Sequence, residues 1–222
     1  MRLLGQFDKQ FTQFLRSYYY LNFMQVKYTN MGPFESFIME SNIDDPELCQ
    51  KIIAFHKNTD TKHQGLVGSG LKPEFKKSID AYLDDEKELH RLYVRRLQTI
   101  VNQYISKFPC CDSYAPWEIK QSINIQHYSP SEAFYAWHTE RESAKETTKN
   151  RHLVFMTYLN DVTDGGETEF FHQKLRIKPE TGKTLIWPTD WTHTHRGLIS
   201  PTQDKYIVTG WFDFVENKNP AF

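Results

Sequence analysis

The chain has 222 residues, of which 39% are hydrophobic and 25% charged, a balance that can bury one core and is too polar for a chain embedded in lipid. Its 27 basic residues against 28 acidic ones leave a net charge of −1, so no bulk basic field argues for non-specific nucleic-acid binding. No apolar run reaches the ~18 residues of a membrane span. The stretch Met1–Asp8 lacks the apolar segment of a signal peptide. Cys49, Cys110 and Cys111 form neither a disulfide framework nor a zinc-finger spacing. A cytoplasmic, reducing setting is the expectation.

The first forty residues are rich in Phe and Tyr, Tyr18-Tyr19-Tyr20 among them, and fit an early strand or helix layer or an interface. Asp44-Asp45-Pro46-Glu47 then places a capping acid before a proline. Leu48, Cys49, Ile52, Ile53 and Phe55 follow at helical spacing, which predicts a helix to about His56. After a loop with Gly65, Gly68 and Gly70, a periodic run from Ser78 to Phe108 predicts a long amphipathic helix ended by Pro109. From Trp117 onward the period changes. Ile119, Gln121, Ile123, Ile125 and His127 alternate, and the runs 151–160, 175–178, 184–187 and 206–214 read as strands. Turn residues separate them at Asp164-Gly165-Gly166, at 179–182 and at 201–204.

Many short strands separated by turns predict a mainly β fold, a double-stranded β-helix (jelly roll) with α-helices packed on one sheet. The organisation expected is a single domain over 1–222. Within it, 1–115 forms a helical or mixed support region and 116–216 the jelly-roll core. The polar stretch 141–150 reads as a loop and a candidate lid.

Two histidine motifs in the strand-rich half carry possible chemistry. In His138-Thr139-Glu140, an extended backbone turns the imidazole and the carboxylate to the same face. A site for Fe(II) needs two histidines and one carboxylate on one side of the ion, with open positions opposite. Chance alone gives about one such His-x-acid pair in this composition, so the motif has no weight by itself. The second motif is His193-Thr194-His195. The two rings share a face if that segment is extended, and spacing cannot separate them. Lys205 stands at the mouth of a final run, Ile207, Val208, Gly210, Trp211 and Phe212, that reads as a buried central strand. His90, His127, His152 and His172 read as surface or half-buried residues, Trp187 and Trp211 as core. Arg176 reads equally as a solvated strand position or a cosubstrate ligand.

Taken together, these segments resemble the prolyl 4-hydroxylase-like branch of the 2-oxoglutarate- and Fe(II)-dependent oxygenases. The resemblance covers roughly residues 117–214. It rests on Tyr128-Ser129-Pro130 leading to His138-Thr139-Glu140, on Tyr158–Val162 with Gly165-Gly166-Glu167-Thr168-Glu169-Phe170, on Pro179–Pro188, and on His195-Arg196-Gly197 with Lys205 ten positions later. Asn42–Cys49 is similar to the helix start that opens such regions.

The resemblance implies Fe(II) held by His138, Glu140 and His195, with the Gly197 and Lys205 register favouring His195 over His193. It implies 2-oxoglutarate as cosubstrate, its C5 carboxylate on Lys205 with Tyr128 and Thr168 nearby, and O2 as oxidant. The reaction implied is hydroxylation of a C–H bond in a peptide or small-molecule substrate, a peptidyl proline first, with release of succinate and CO2. One departure stands out: the carboxylate is Glu140 where the branch has aspartate. A non-catalytic cupin-like binding module and a cupin-type metalloenzyme without 2-oxoglutarate are the alternative functions. Neither needs a lysine aimed at a diacid.

Overall fold

The computed structural model describes residues 35–216 except 69, 114 and 146. The reading made for the chain up to residue 34 lies outside the described residues.

Two helices form where caps and apolar spacing agree. Helix α1 (Pro46–Asn58) starts where the Asp45 carboxylate accepts from the Leu48 amide at 3.0 Å, and Pro46 sits in the first turn, where no donor is missed. Leu48, Cys49, Ile52, Ile53 and His56 form its buried stripe. Helix α2 (Lys87–Lys107) buries Tyr93, Leu97, Ile100, Val101 and Tyr104. That stripe repeats every three to four residues and faces one direction.

The strands are β1 (Met39–Asn42), β2 (His63–Gln64), β3 (Ile79–Tyr82), β4 (Trp117–Glu118), β5 (Asn124–Tyr128), β6 (Arg151–Tyr158), β7 (Thr168–Phe170), β8 (Leu175–Ile177), β9 (Lys183–Pro188), β10 (His195–Gly197) and β11 (Lys205–Phe214). An antiparallel eight-stranded sheet runs β1-β9-β6-β11-β5-β3-β2, with β4 also paired to β11. A smaller sheet runs β10-β7-β8. The result is the jelly-roll architecture with helices on one sheet.

Side-chain alternation along the central strands divides the core in two. On β6, Leu153 and Phe155 pack with Leu97, Ile100 and Tyr104 of α2, whereas Val154, Met156 and Tyr158 pack with Phe170 and Ile177 of the smaller sheet. On β11, Tyr206, Val208 and Phe212 face the helices, and Ile207 faces the smaller sheet. Gly210 is required on the helix face: a Cβ there would lie 2.4 Å from the Phe155 ring.

The long helix expected from Ser78 begins later. Ile79–Tyr82 is instead strand β3, paired with β5 from Ile79↔His127 to Tyr82↔Asn124, and a 3-10 turn at Leu83–Asp85 precedes α2. Ladder hydrogen bonds to a neighbour distant in sequence override a local apolar spacing that suits either element. Asp80 and Ala81 are buried there, and the Asp84 carboxylate accepts from the Ile123 amide at 2.8 Å. The alternating run after Trp117 is likewise interrupted, becoming β4 and β5 with an unpaired stretch between. Strands β1 to β3 show that residues before 115 add edges to the main sheet as well as helical support.

Candidate metal centre

The centre is built at a backbone junction between the two sheets. The His138 amide donates to the His195 carbonyl at 3.0 Å, and the His195 amide returns the bond to His138 at 2.9 Å. This reciprocal pair joins His138 to His195, the first residue of β10, and sets the two imidazoles side by side, with centroids 4.3 Å apart. Phe134 stacks on His138 at 3.6 Å, and Phe170 and Trp187 flank His195. Packing thus restricts both rings.

The outer nitrogen of each ring is also held. His138 Nδ1 lies 3.0 Å from the Ala136 carbonyl, and His195 Nδ1 lies 3.0 Å from the His193 carbonyl. A carbonyl only accepts, so in each neutral ring Nδ1 carries the proton and Nε2 presents a lone pair inward. Glu140 Oε1 completes the group, 3.6 Å from His138 Nε2 and 3.4 Å from His195 Nε2. All three ligand atoms lie within 4.8 Å of one another. Burial disfavours the charged carboxylate, but before a cation binds, hydrogen bonds from His138 and His195 and the positive charge those rings carry when protonated outweigh it and hold the Glu140 carboxyl well below its usual range. Burial, with His138 alongside, depresses His195, which keeps it neutral and able to ligate. Two imidazole lone pairs and a carboxylate oxygen converging on one point are a donor set that a cation satisfies. A two-histidine, one-carboxylate face with space opposite suits Fe(II).

That space is a cavity of about 620 Å³ between the sheets. His138, Glu140 and His195 line it together with Lys205, Tyr128 and Thr168, so the six residues singled out in the sequence meet in one chamber. Lys205 is 4% exposed. Its Nζ donates to the Gly166 carbonyl at 3.0 Å and the Leu198 carbonyl at 3.4 Å, and lies 5.0 Å from the Tyr128 ring centre. No carboxylate pairs with it among the described residues. Burial lowers its pKa to about 8, against a partial offset from Glu167. Tyr128 donates to Gln126 Oε1 at 2.7 Å, and burial, followed by the charges of Asp80 and Glu140, keeps its phenol protonated. Thr168 Oγ1 accepts from the Tyr158 hydroxyl at 2.6 Å, while its own proton meets only the Met156 sulfur at 4.0 Å. That proton can turn to a better acceptor.

His193 stands outside the ligand group. Trp191–His193 forms a 3-10 turn, so the extended geometry that would align it with His195 does not exist. Its contribution is the carbonyl that orients His195. Arg176 pairs with Glu169 at 2.7 Å and is well exposed, far from the role of a cosubstrate ligand. Trp211 is more than a core residue, because its indole reaches Glu140. The described residues of 141–150 form no strand or helix, and Glu142, Ser143, Lys145, Thr147 and Thr148 line the cavity. Two further participants, Arg151 and Gln121, had no local signal: an arginine opening a strand and a glutamine before one look like solvated positions.

Comparison with known proteins agrees with the geometry. Residues 123–213 match the pattern of the 2OG-Fe(II) oxygenase superfamily, and this stretch contains the three candidate ligands and Lys205. Through this stretch, about two fifths of the chain, the protein is similar to that superfamily, and the His138, Glu140 and His195 face within it is consistent with Fe(II). Among solved structures, the viral collagen prolyl hydroxylase of Paramecium bursaria Chlorella virus-1, in its 2OG complex, superposes with a TM-score of 0.60 at 19% identity, covering 81% of this chain and 97% of that one. A Pseudomonas putida prolyl-4-hydroxylase gives 0.61 at 14% identity, over 79% and 92%. A Trichoplax adhaerens prolyl hydroxylase, solved with a peptide fragment of the hypoxia inducible factor oxygen degradation domain, gives 0.64 at 13% identity, over 80% and 84%. At such identities the likeness establishes a shared fold.

Proposed function

We propose that this protein is a 2-oxoglutarate-dependent hydroxylase of a peptide-type substrate, with a peptidyl proline as the first candidate residue. The observation that carries the reading is one chamber with a metal-competent face at one end and, at the other, a buried ammonium that pairs with no carboxylate among the described residues. Bound Fe(II), with 2-oxoglutarate and O2, supplies oxidative decarboxylation of the cosubstrate to succinate and CO2, coupled to insertion of one oxygen atom into a C–H bond. The chain's own residues do the rest. His138 Nε2, His195 Nε2 and Glu140 Oε1 hold the metal. Lys205 takes the C5 carboxylate of 2-oxoglutarate, which supplies the counter-charge its burial demands. Thr168 can donate its free proton to the same carboxylate, and Tyr128 lies under the Lys205 ammonium. Phe134, Met156, Trp187 and Ile207 add apolar surface to the wall of the chamber.

The metal-only and non-catalytic alternatives leave Lys205 buried for no gain. Support for a peptide substrate comes from the solved Trichoplax relative with its bound peptide, and from a cavity in the size range of ligands larger than a five-carbon diacid. The free thiols of Cys49, Cys110 and Cys111 support placing the protein in the reducing cytoplasm.

The test is anaerobic absorption spectroscopy. Fe(II) and 2-oxoglutarate added together should produce a metal-to-ligand charge-transfer band, and His138→Ala should abolish it. Succinate release should then rise when proline-containing peptides are supplied. A wild-type protein that shows no band refutes the proposal. A band with no peptide stimulating succinate release refutes the peptide substrate.

A further inference from the structure

Only one oxygen of Glu140 faces the histidines. The other, Oε2, accepts from the Trp211 indole Nε1–H at 3.0 Å and lies 3.5 Å from Arg151 Nη1. Arg151 Nη1 also donates to the Glu140 backbone carbonyl at 3.0 Å, so one guanidinium grips both ends of the residue. The guanidinium is itself fixed. It sits 3.5 Å above the Trp211 ring, and its Nη2 donates to Gln121 Oε1 at 2.7 Å, while Gln121 Nε2 donates to Asp213 Oδ1 at 2.9 Å.

The fold bends a strand to make this contact. Along β6, Leu153 and Phe155 face the helices, and strict alternation would send Arg151 the same way. The register with β11 shifts between Phe212 and Asp213, so that Leu153 pairs with Phe212 but Arg151 pairs with Asp213. His152 is the extra residue. Its ring packs against Trp117 and its Nε2 lies 2.9 Å from the Cys111 carbonyl, on the helix side with Leu153. The bulge therefore turns Arg151 over to the cavity, where it meets Glu140 and Trp211.

We propose that Trp211 and Arg151 are positioning residues that hold Oε2 of Glu140 away from the metal, so that Glu140 ligates through Oε1 alone and its length is matched to the clamp. The proposal rests on the metal-centre reading above. A carboxylate free to rotate can offer both oxygens to one ion and close a position that a cosubstrate or O2 needs. A hydrogen bond from each side of Oε2 removes that freedom. An aspartate is shorter by one C–C bond, about 1.5 Å, and cannot reach the histidine face and the clamp together.

The experiment uses Co(II) as the probe, titrated under anaerobic conditions into the full-length protein and the variants Trp211→Phe and Glu140→Asp. Thermal melts monitored by circular dichroism establish that each variant is folded. Trp211→Phe keeps an aromatic ring beneath Arg151 and every charge, and removes the N–H donor together with the five-membered ring that carries it. Loss of a partner that orients a metal ligand weakens metal binding about 10- to 100-fold, and that loss is expected in both variants. The d–d absorption of the Co(II)-loaded Trp211→Phe protein should also change, as the unclamped carboxylate leaves its single orientation. A folded Trp211→Phe with an unchanged d–d spectrum or with unweakened Co(II) affinity overturns the clamp and leaves the metal centre standing. If Trp211→Phe fails to fold, Glu140→Asp decides, and wild-type affinity there overturns the proposal. A wild-type protein that binds no Co(II), or a Glu140→Ala variant that binds it as well as wild type, overturns the centre and the clamp with it.

Discussion

The two ends of the cavity are prepared in different ways. At the metal end every outward atom already has a partner: Ala136 and His193 carbonyls on the histidine Nδ1 atoms, Trp211 and Arg151 on Glu140. Only the three ligand atoms remain to be satisfied. At the Lys205 end a whole ammonium is buried against two carbonyls, with no carboxylate beside it among the described residues. The contrast teaches where rigidity is needed. A metal face must be oriented before the ion arrives, because three ligands from two distant segments must agree on one point. A cation for a flexible diacid need only be present and poorly satisfied.

The first way to break this comparison is to remove the cation. Deleting one partner of a buried ion pair costs about 3–5 kcal/mol, so Lys205→Ala should weaken 2-oxoglutarate binding by about 100-fold or more. Fe(II) affinity measured without cosubstrate should stay at the wild-type level. Calorimetric titration with each ligand separately reads both arms, and parallel losses would show that the two ends are not independent.

A second test sharpens the comparison through pH. Because burial lowers Lys205 from the ordinary lysine value to about 8, its neutral form gains population as pH rises through 8. The carboxylate binds the charged form. The dissociation constant for 2-oxoglutarate should therefore be flat below that pH and rise by about tenfold per pH unit well above it. Binding above pH 8 should take up a proton, measurable by comparing heats in buffers of different ionisation enthalpy. A constant affinity through that window would mean that Lys205 does not carry the contact.

The smallest effect on either end should come from the opposite face of the main sheet. Leu97 is 1% exposed in the α2 layer and touches neither end of the cavity. Leu97→Ala should cost about 2–5 kcal/mol of folding stability, seen in chemical denaturation. Turnover and 2-oxoglutarate affinity per folded molecule should be unchanged at temperatures where the variant is folded. A large activity loss would show that the helix face tunes the cavity through β6 and β11.

The site was legible in the sequence to the extent that its parts are local. His138 and Glu140 are two residues apart on extended chain, and Lys205 opens the last strand. The match of spacing between His195, Gly197 and Lys205 to a known pattern separated His195 from His193. Caps and spacing likewise located α1 and most of α2, and turn residues marked the strand-rich half. The start of α2 was misread because Ile79–Tyr82 has apolar residues that suit a helix, while its hydrogen-bond partners lie in β5, more than forty residues on. Arg151 escaped notice for a related reason: its direction depends on a bulge produced by pairing with β11.

By itself, then, the sequence picked out the candidate ligands His138, Glu140 and His195 with Lys205, the jelly-roll class, and the two helices that cover one sheet. Those follow from residue type and short-range spacing, which act within a few bonds. The tertiary structure alone decided that the histidines form a reciprocal backbone pair, that His193 lends a carbonyl rather than a ring, and that Glu140 shares its carboxylate with Trp211 and Arg151. Such choices depend on strand register and on a single extra residue in β6. A one-residue slip sends a side chain to the opposite face of a sheet.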